Sequence, residues 1–142
     1  MTFQVAFYKG TPEGWHGIYN KLVRWWTKSK YSHAELVFSD GWMASSSLMD
    51  KGVRLKPASL NPDNWDVMSL RDNLEPAARQ WFENHKGLSY DVWGNIHILL
   101  PFIPQSNSKY FCSEACMAAL GFDEAERYTP AAMVSAIKYI TK

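Results

Sequence analysis

Alternation of apolar and polar positions governs the first half of the chain, and helical periodicity governs the second. Phe3, Val5 and Phe7 alternate with Gln4, Ala6 and Tyr8, which predicts a strand ending at Lys9-Gly10-Thr11-Pro12. From Gly14 to Lys28 the residues Trp15, Ile18, Tyr19, Leu22, Val23, Trp25 and Trp26 form a broad stripe opposite Lys21, Arg24 and Lys28, the pattern of a core-facing helix with a basic outer side. Alternation returns between Lys30 and Phe38, with Tyr31, His33, Glu35 and Val37 on one face and Ser32, Ala34, Leu36 and Phe38 on the other. Ser39-Asp40-Gly41 then predicts a tight turn into a returning strand, Trp42 to Ser47. Asp50-Lys51-Gly52 predicts another turn, Val53 to Lys56 a short strand, and Trp65 to Leu70 the last strand.

Four helices are expected beyond that point. Glu75 to Gly87 has proline in its first turn and glycine after its end. Ser89 to Leu100 reads as a helix capped by Ser89 and stopped before Pro101. Thr129-Pro130 caps a helix through Ile140 whose buried stripe is Ala132, Met133, Ala136, Ile137 and Ile140. Between the last two lies a short buried helix, in which Cys112, Ala115, Cys116, Ala119 and Leu120 share a face and Gly121 sits at the left-handed cap.

Cys112 gives this pattern a chemical meaning. A loop-like stretch, Pro104 to Ser108, puts Cys112 near a helix start, where unpaired N–H groups and the helix dipole favour a thiolate and can hold an oxyanion. A thiolate needs a base, and His33 stands on a polar face within an otherwise apolar strand. Among the other histidines, His16 has no evident partner, His85 is accounted for by a helix C-terminus, and His97 reads as a core residue and a rival base. Cys116, one turn deeper, reads as core, and Glu114 suits the helix dipole.

Composition narrows the rest. The 142 residues, 46% hydrophobic and 15% aromatic, suit a single domain spanning 1–142. A net charge of +1 is too small to indicate a nucleic-acid partner by long-range field. Two cysteines at i and i+4 on one helix are poorly placed to bond to each other, so both are expected as free thiols in a reducing, cytoplasmic setting. The N-terminus lacks the basic and apolar regions of a secretion signal, and the apolar run Ile96 to Ile103 is far short of the ~18 residues a spanning helix needs. Peripheral contact of the basic, aromatic first helix with a membrane surface stays open. Ligand spacing for zinc and a phosphate-cradling glycine loop are both lacking, so no metal or cofactor is expected.

Taken together, Tyr31-Ser32-His33-Ala34-Glu35-Leu36, Trp42 to Ser47, Gly52-Val53-Arg54, Phe111-Cys112-Ser113-Glu114 and Thr129-Pro130 resemble the circularly permuted NlpC/P60 papain-like group. In that branch, which includes YiiX-type and lecithin:retinol-acyltransferase-like proteins, the histidine strand precedes the cysteine helix. The resemblance implies an α+β domain in which a small, mainly antiparallel sheet packs on helices, with Cys112 as nucleophile and His33 as base. The family's third member usually lies on the next strand, which here offers only Ala44-Ser45-Ser46. Glu35, two residues from His33 on the same face, is the preferred substitute, and Ser45 the second choice.

The substrate side is read more broadly. Tyr8 and Tyr31 are read either as lining the cleft or as ordinary strand residues, Ser45 and Ser46 either as substrate hydrogen-bonders or as ordinary strand serines, and Arg54 either on a substrate carboxylate or in a structural ion pair. The resemblance implies a cysteine peptidase or amidase acting on a small peptide of cell-wall type. Cleavage or transfer of lipid and acyl esters is the alternative, followed by a catalytically inactive papain-like binding module.

Overall fold

The computed structural model describes residues 2–10, 31–47, 52–87, 89–90, 109–110 and 112–141. The helix expected over Gly14 to Lys28, the loop Pro104 to Ser108, His16 and His97 lie outside the described residues.

Five strands form one antiparallel sheet: β1 (Gln4–Tyr8), β2 (His33–Val37), β3 (Trp42–Ser47), β4 (Gly52–Pro57) and β5 (Trp65–Ser69). Their order is β4-β3-β2-β1-β5, so β1 lies between β2 and β5 and the chain crosses from one edge of the sheet to the other after β4. The β2–β3 turn follows its sequence pattern. Gly41 takes φ +86°, a left-handed value that disfavours side chains, and Phe38 N–H donates to Trp42 O at 2.8 Å to close the hairpin.

Alternation divides this sheet into two apolar faces. Phe3, Val5, Phe7, Ala34, Leu36 and Phe38 belong to the main core, while Ala6, Val37 and Met43 form a smaller cluster flanked by Ala58, Leu60 and Trp65. Phe3 stacks on Phe38 with ring centroids 5.6 Å apart.

Three helices follow: α1 (Glu75–His85), α2 (Cys112–Ala119) and α3 (Pro130–Ile140). α2 packs on β2 and β3, and α1 packs on α2 and β4. The sequence predicts one buried face for α2, yet every residue from Cys112 to Met117 is buried, because sheet, α1 and the Ala125–Arg127 turn enclose it. Its small side chains, Ala115, Cys116 and Ala119, are what let it sit so close to the sheet. Gly121 follows it at φ +85°. At α3 the Thr129 hydroxyl accepts from Ala132 N–H at 3.1 Å, the expected cap.

One expectation fails at its start. Ser89–Tyr90 does not open a helix but forms a two-residue strand, β6, parallel to β7 (Lys109–Tyr110). Such a pairing is fixed by a long-range partner, and two residues are too few to display a period. The remainder of that expected helix lies outside the described residues. No helix among the described residues is long and apolar enough to cross a membrane.

Candidate active site

His33 is the first residue of β2, and Cys112 is the first residue of α2, which packs against that strand. The arrangement brings the Cys112 thiol beside the imidazole, near enough to act on it electrostatically and as a hydrogen-bonding group. Behind the ring, His33 Nε2 lies 2.8 Å from Glu35 Oε1. Residues i and i+2 on a strand share a face, which is why so short a sequence separation can build this contact. With Nε2 facing Glu35, Nδ1 is the ring nitrogen free to serve a thiol.

Glu35 is in turn gripped by Arg54 of β4. Arg54 Nη1 donates to Oε2 at 2.6 Å, and Nη2 donates to Oε1, the oxygen that also faces His33. Side-chain exposure is 2% for Glu35, 13% for Arg54 and 19% for His33, so this chain of charges is largely shielded from solvent. Burial of an ion is unfavourable unless hydrogen bonds and counter-charge replace its hydration, and the bidentate fork supplies both.

These contacts decide the protonation states. Burial alone would lower the His33 pKa, but the neighbouring Cys112, as a charge and as a hydrogen-bond partner, and then Glu35 outweigh it and raise it from 6.5 to about 9. For Glu35 burial acts upward, and it is overcome by Arg54 first and His33 second, which hold the carboxyl well below the usual range. Cys116, by contrast, is pushed well above the ordinary thiol value, by burial first and then by the charges of Cys112 and Glu35. Its sulfur lies 3.7 Å from Ala34 O and 3.9 Å from Ser45 Oγ, in the interior.

The remaining residues read from the sequence are distributed around this row. Ser45 donates to Ala34 O at 2.6 Å, and Glu35 is the group at His33 Nε2. Ser46 is fully buried on β3. Tyr8 is the strand partner of His33. Tyr31 precedes β2, so strand alternation does not extend to it: its ring packs on Phe7 of the main core, and its hydroxyl donates to Asp66 Oδ2 at 2.6 Å. Lys9 Nζ holds the other Asp66 oxygen at 2.7 Å. Glu114 is buried in the first turn of α2, and Ser113 beside it donates to Tyr128 O, tying the helix start to the segment before α3. His85 sits at the end of α1 with Nδ1 2.7 Å from Trp81 O and its ring stacked on Trp81.

Two features were not foreseen. Trp65 pairs with Tyr8 as Tyr8 pairs with His33, so the three side chains form a row across β5, β1 and β2. The Trp65 ring meets His33 edge-on at 6.2 Å and Tyr8 at 5.1 Å. The only sequence signal was an aromatic at the head of a strand; its register with β1 is a tertiary fact. The second is Ser32, whose hydroxyl is buried beside His33 with no hydrogen-bond partner among the described residues. Both cysteines are free thiols, and no group of three or more His, Cys, Asp and Glu side chains among the described residues is arranged to hold a metal ion. No protein-family model matches this chain, and no curated protein is detectably similar to it.

Proposed function

We propose that this protein is a cysteine-dependent hydrolase of the permuted NlpC/P60 papain-like type, cleaving an amide bond through Cys112, His33 and Glu35. The observation that carries the reading is His33, with a shielded carboxylate at Nε2 and the Cys112 thiol as its neighbour. An imidazole oriented from behind in this way keeps the tautomer and ring angle that proton transfer to and from sulfur requires.

The proposed steps follow from that geometry. His33 Nδ1 accepts the Cys112 proton, and the thiolate attacks the carbonyl carbon of the substrate amide. Charge then develops on the carbonyl oxygen, where N–H groups in the first turn of α2 stabilise it. Collapse of the tetrahedral intermediate breaks the C–N bond as His33 returns its proton to the leaving amine, leaving a thioester on Cys112. A water molecule deprotonated by His33 attacks that thioester, releasing the acid and the free thiol. Cys112 keeps 3% of its surface, so the reaction would run in a site screened from bulk water, where charges interact more strongly.

A peptide of cell-wall type is the proposed substrate, with lipid or acyl esters as the competing class. Glu35 fills the position behind the ring whose vacancy on β3 would have favoured an inactive binding module. Free thiols at both cysteines fit a reducing, cytoplasmic setting.

Two measurements test the proposal. Iodoacetamide at neutral pH is expected to modify Cys112 much faster than Cys116, which is fully buried with its pKa pushed up; equal slow labelling removes the activated-thiolate claim. Muropeptides and acyl thioesters are then offered to the wild type, Cys112→Ala and His33→Ala. Turnover of one class, lost in both variants, supports the reading and identifies the bond; turnover unchanged by either substitution ends it.

A further inference from the structure

We propose that Arg54 is a positioning residue of this site: its guanidinium fork fixes the Glu35 carboxylate by both oxygens, and through it the rotation of the His33 ring toward Cys112. The inference deepens the hydrolase reading and rests on it for the turnover measurement alone.

A carboxylate held by a single hydrogen bond to His33 would remain free to turn about its terminal torsion, which is broad. Here Oε1 is shared between His33 Nε2 and Arg54 Nη2, while Oε2 receives Arg54 Nη1 at 2.6 Å, so the plane of the carboxylate is set by the plane of the guanidinium. Arg54 reaches Glu35 from β4, across β3, where its register partner is Ser45. A residue as small as serine at that crossing leaves room for the arginine stem. Among the described residues, the charged and titratable groups around the His33–Glu35 pair include Arg54 from β4, Cys112 and Cys116 from α2, and Tyr8 from β1, the strand partner of His33.

Arginine rather than lysine is needed for this role, since an ammonium presents a point charge and cannot fix a plane. The rival role, an anchor for a substrate carboxylate, requires the fork to face a ligand, whereas both terminal nitrogens donate to Glu35.

The test uses the intact chain and a probe that needs no substrate. Cys112 alkylation by iodoacetamide is followed by peptide mass spectrometry across pH in the wild type, Glu35→Gln, Arg54→Met, Arg54→Lys and Glu35→Gln/Arg54→Met. Losing the fork releases Glu35 toward protonation, so Arg54→Met is expected to slow alkylation at pH 6 by about tenfold and to move the acid limb up by about one unit. Arg54→Lys is expected to fall short of the wild-type rate although the charge is retained. The double variant is expected to be no slower than Glu35→Gln alone, because Arg54 acts only through Glu35.

Effects that add in the double variant overturn the proposal, as does a wild-type profile in Arg54→Lys. So does an unchanged alkylation profile combined with a raised KM and preserved kcat on a carboxylate-bearing peptide, which would make Arg54 a substrate anchor. If Arg54→Met fails to fold by circular dichroism, Arg54→Lys decides alone. Lack of turnover by the wild type on both substrate classes would end the hydrolase reading and leave the alkylation comparison to judge Arg54.

Discussion

Replacing Glu35 by glutamine removes one negative charge and almost no volume, so its effect reads the buried charge that Arg54 and His33 share. Charges about 4 Å apart attract by about 4 kcal/mol at an effective dielectric near 20, and breaking a buried pair from one side typically costs about 3–5 kcal/mol. Arg54 would be left with 13% side-chain exposure, too little for water to replace the lost counter-charge. The glutamine carbonyl still accepts from one guanidinium N–H, which places the expected loss at the lower end, about 3 kcal/mol. In a domain of this size that corresponds to a fall of about 10 °C in Tm. Urea unfolding monitored by tryptophan fluorescence and circular dichroism gives the free energy, and calorimetry gives Tm. Adding Arg54→Met to Glu35→Gln removes the orphaned guanidinium and is expected to restore about half of the loss. A loss below about 1 kcal/mol for Glu35→Gln, or a further loss on adding Arg54→Met, would show that burial of this pair is not what makes its members interdependent.

Two further outcomes follow from the same row of residues. His33, with its folded pKa raised from 6.5 to about 9, contributes stability that is complete below pH 6.5 and is lost as pH rises through 9. Glu35, lowered from 4.5 to about 2, contributes stability present above pH 4.5 and lost as pH falls through 2. Urea unfolding across pH should therefore show a plateau between pH 4.5 and 6.5, and an alkaline limb that persists unchanged in His33→Ala would contradict it. Ser32→Ala removes a buried hydroxyl that has no partner among the described residues, so thermal unfolding is expected at or slightly above the wild-type temperature. A drop equivalent to more than about 1 kcal/mol would mean that the hydroxyl is satisfied in solution.

Much of the scaffold was legible from local pattern. The period of two marked β1 to β5, Asp40-Gly41 marked the hairpin, and Thr129-Pro130 and Gly121 marked helix ends, because each is a backbone requirement met by a few neighbouring residues. Where the pattern was too short it misled: Ser89 looked like a helix cap but stands in a two-residue strand whose partner is Lys109–Tyr110. Tyr31 looked like a continuation of the His33 face but lies outside β2, where alternation no longer applies.

The candidate site was legible in its parts and not in its assembly. His33 and Glu35 were paired by spacing alone, since a strand places i and i+2 on one face whatever the rest of the fold does. That β1 lies inside the sheet and carries Trp65 to His33 through Tyr8 depended on strand order, and so did the reach of Arg54 across β3 to Glu35. Contact between Cys112 and His33 likewise came from α2 packing on β2. Local sequence fixes which side of an element is buried; which distant element covers it, and therefore which charges meet and what their protonation becomes, is decided when the elements pack.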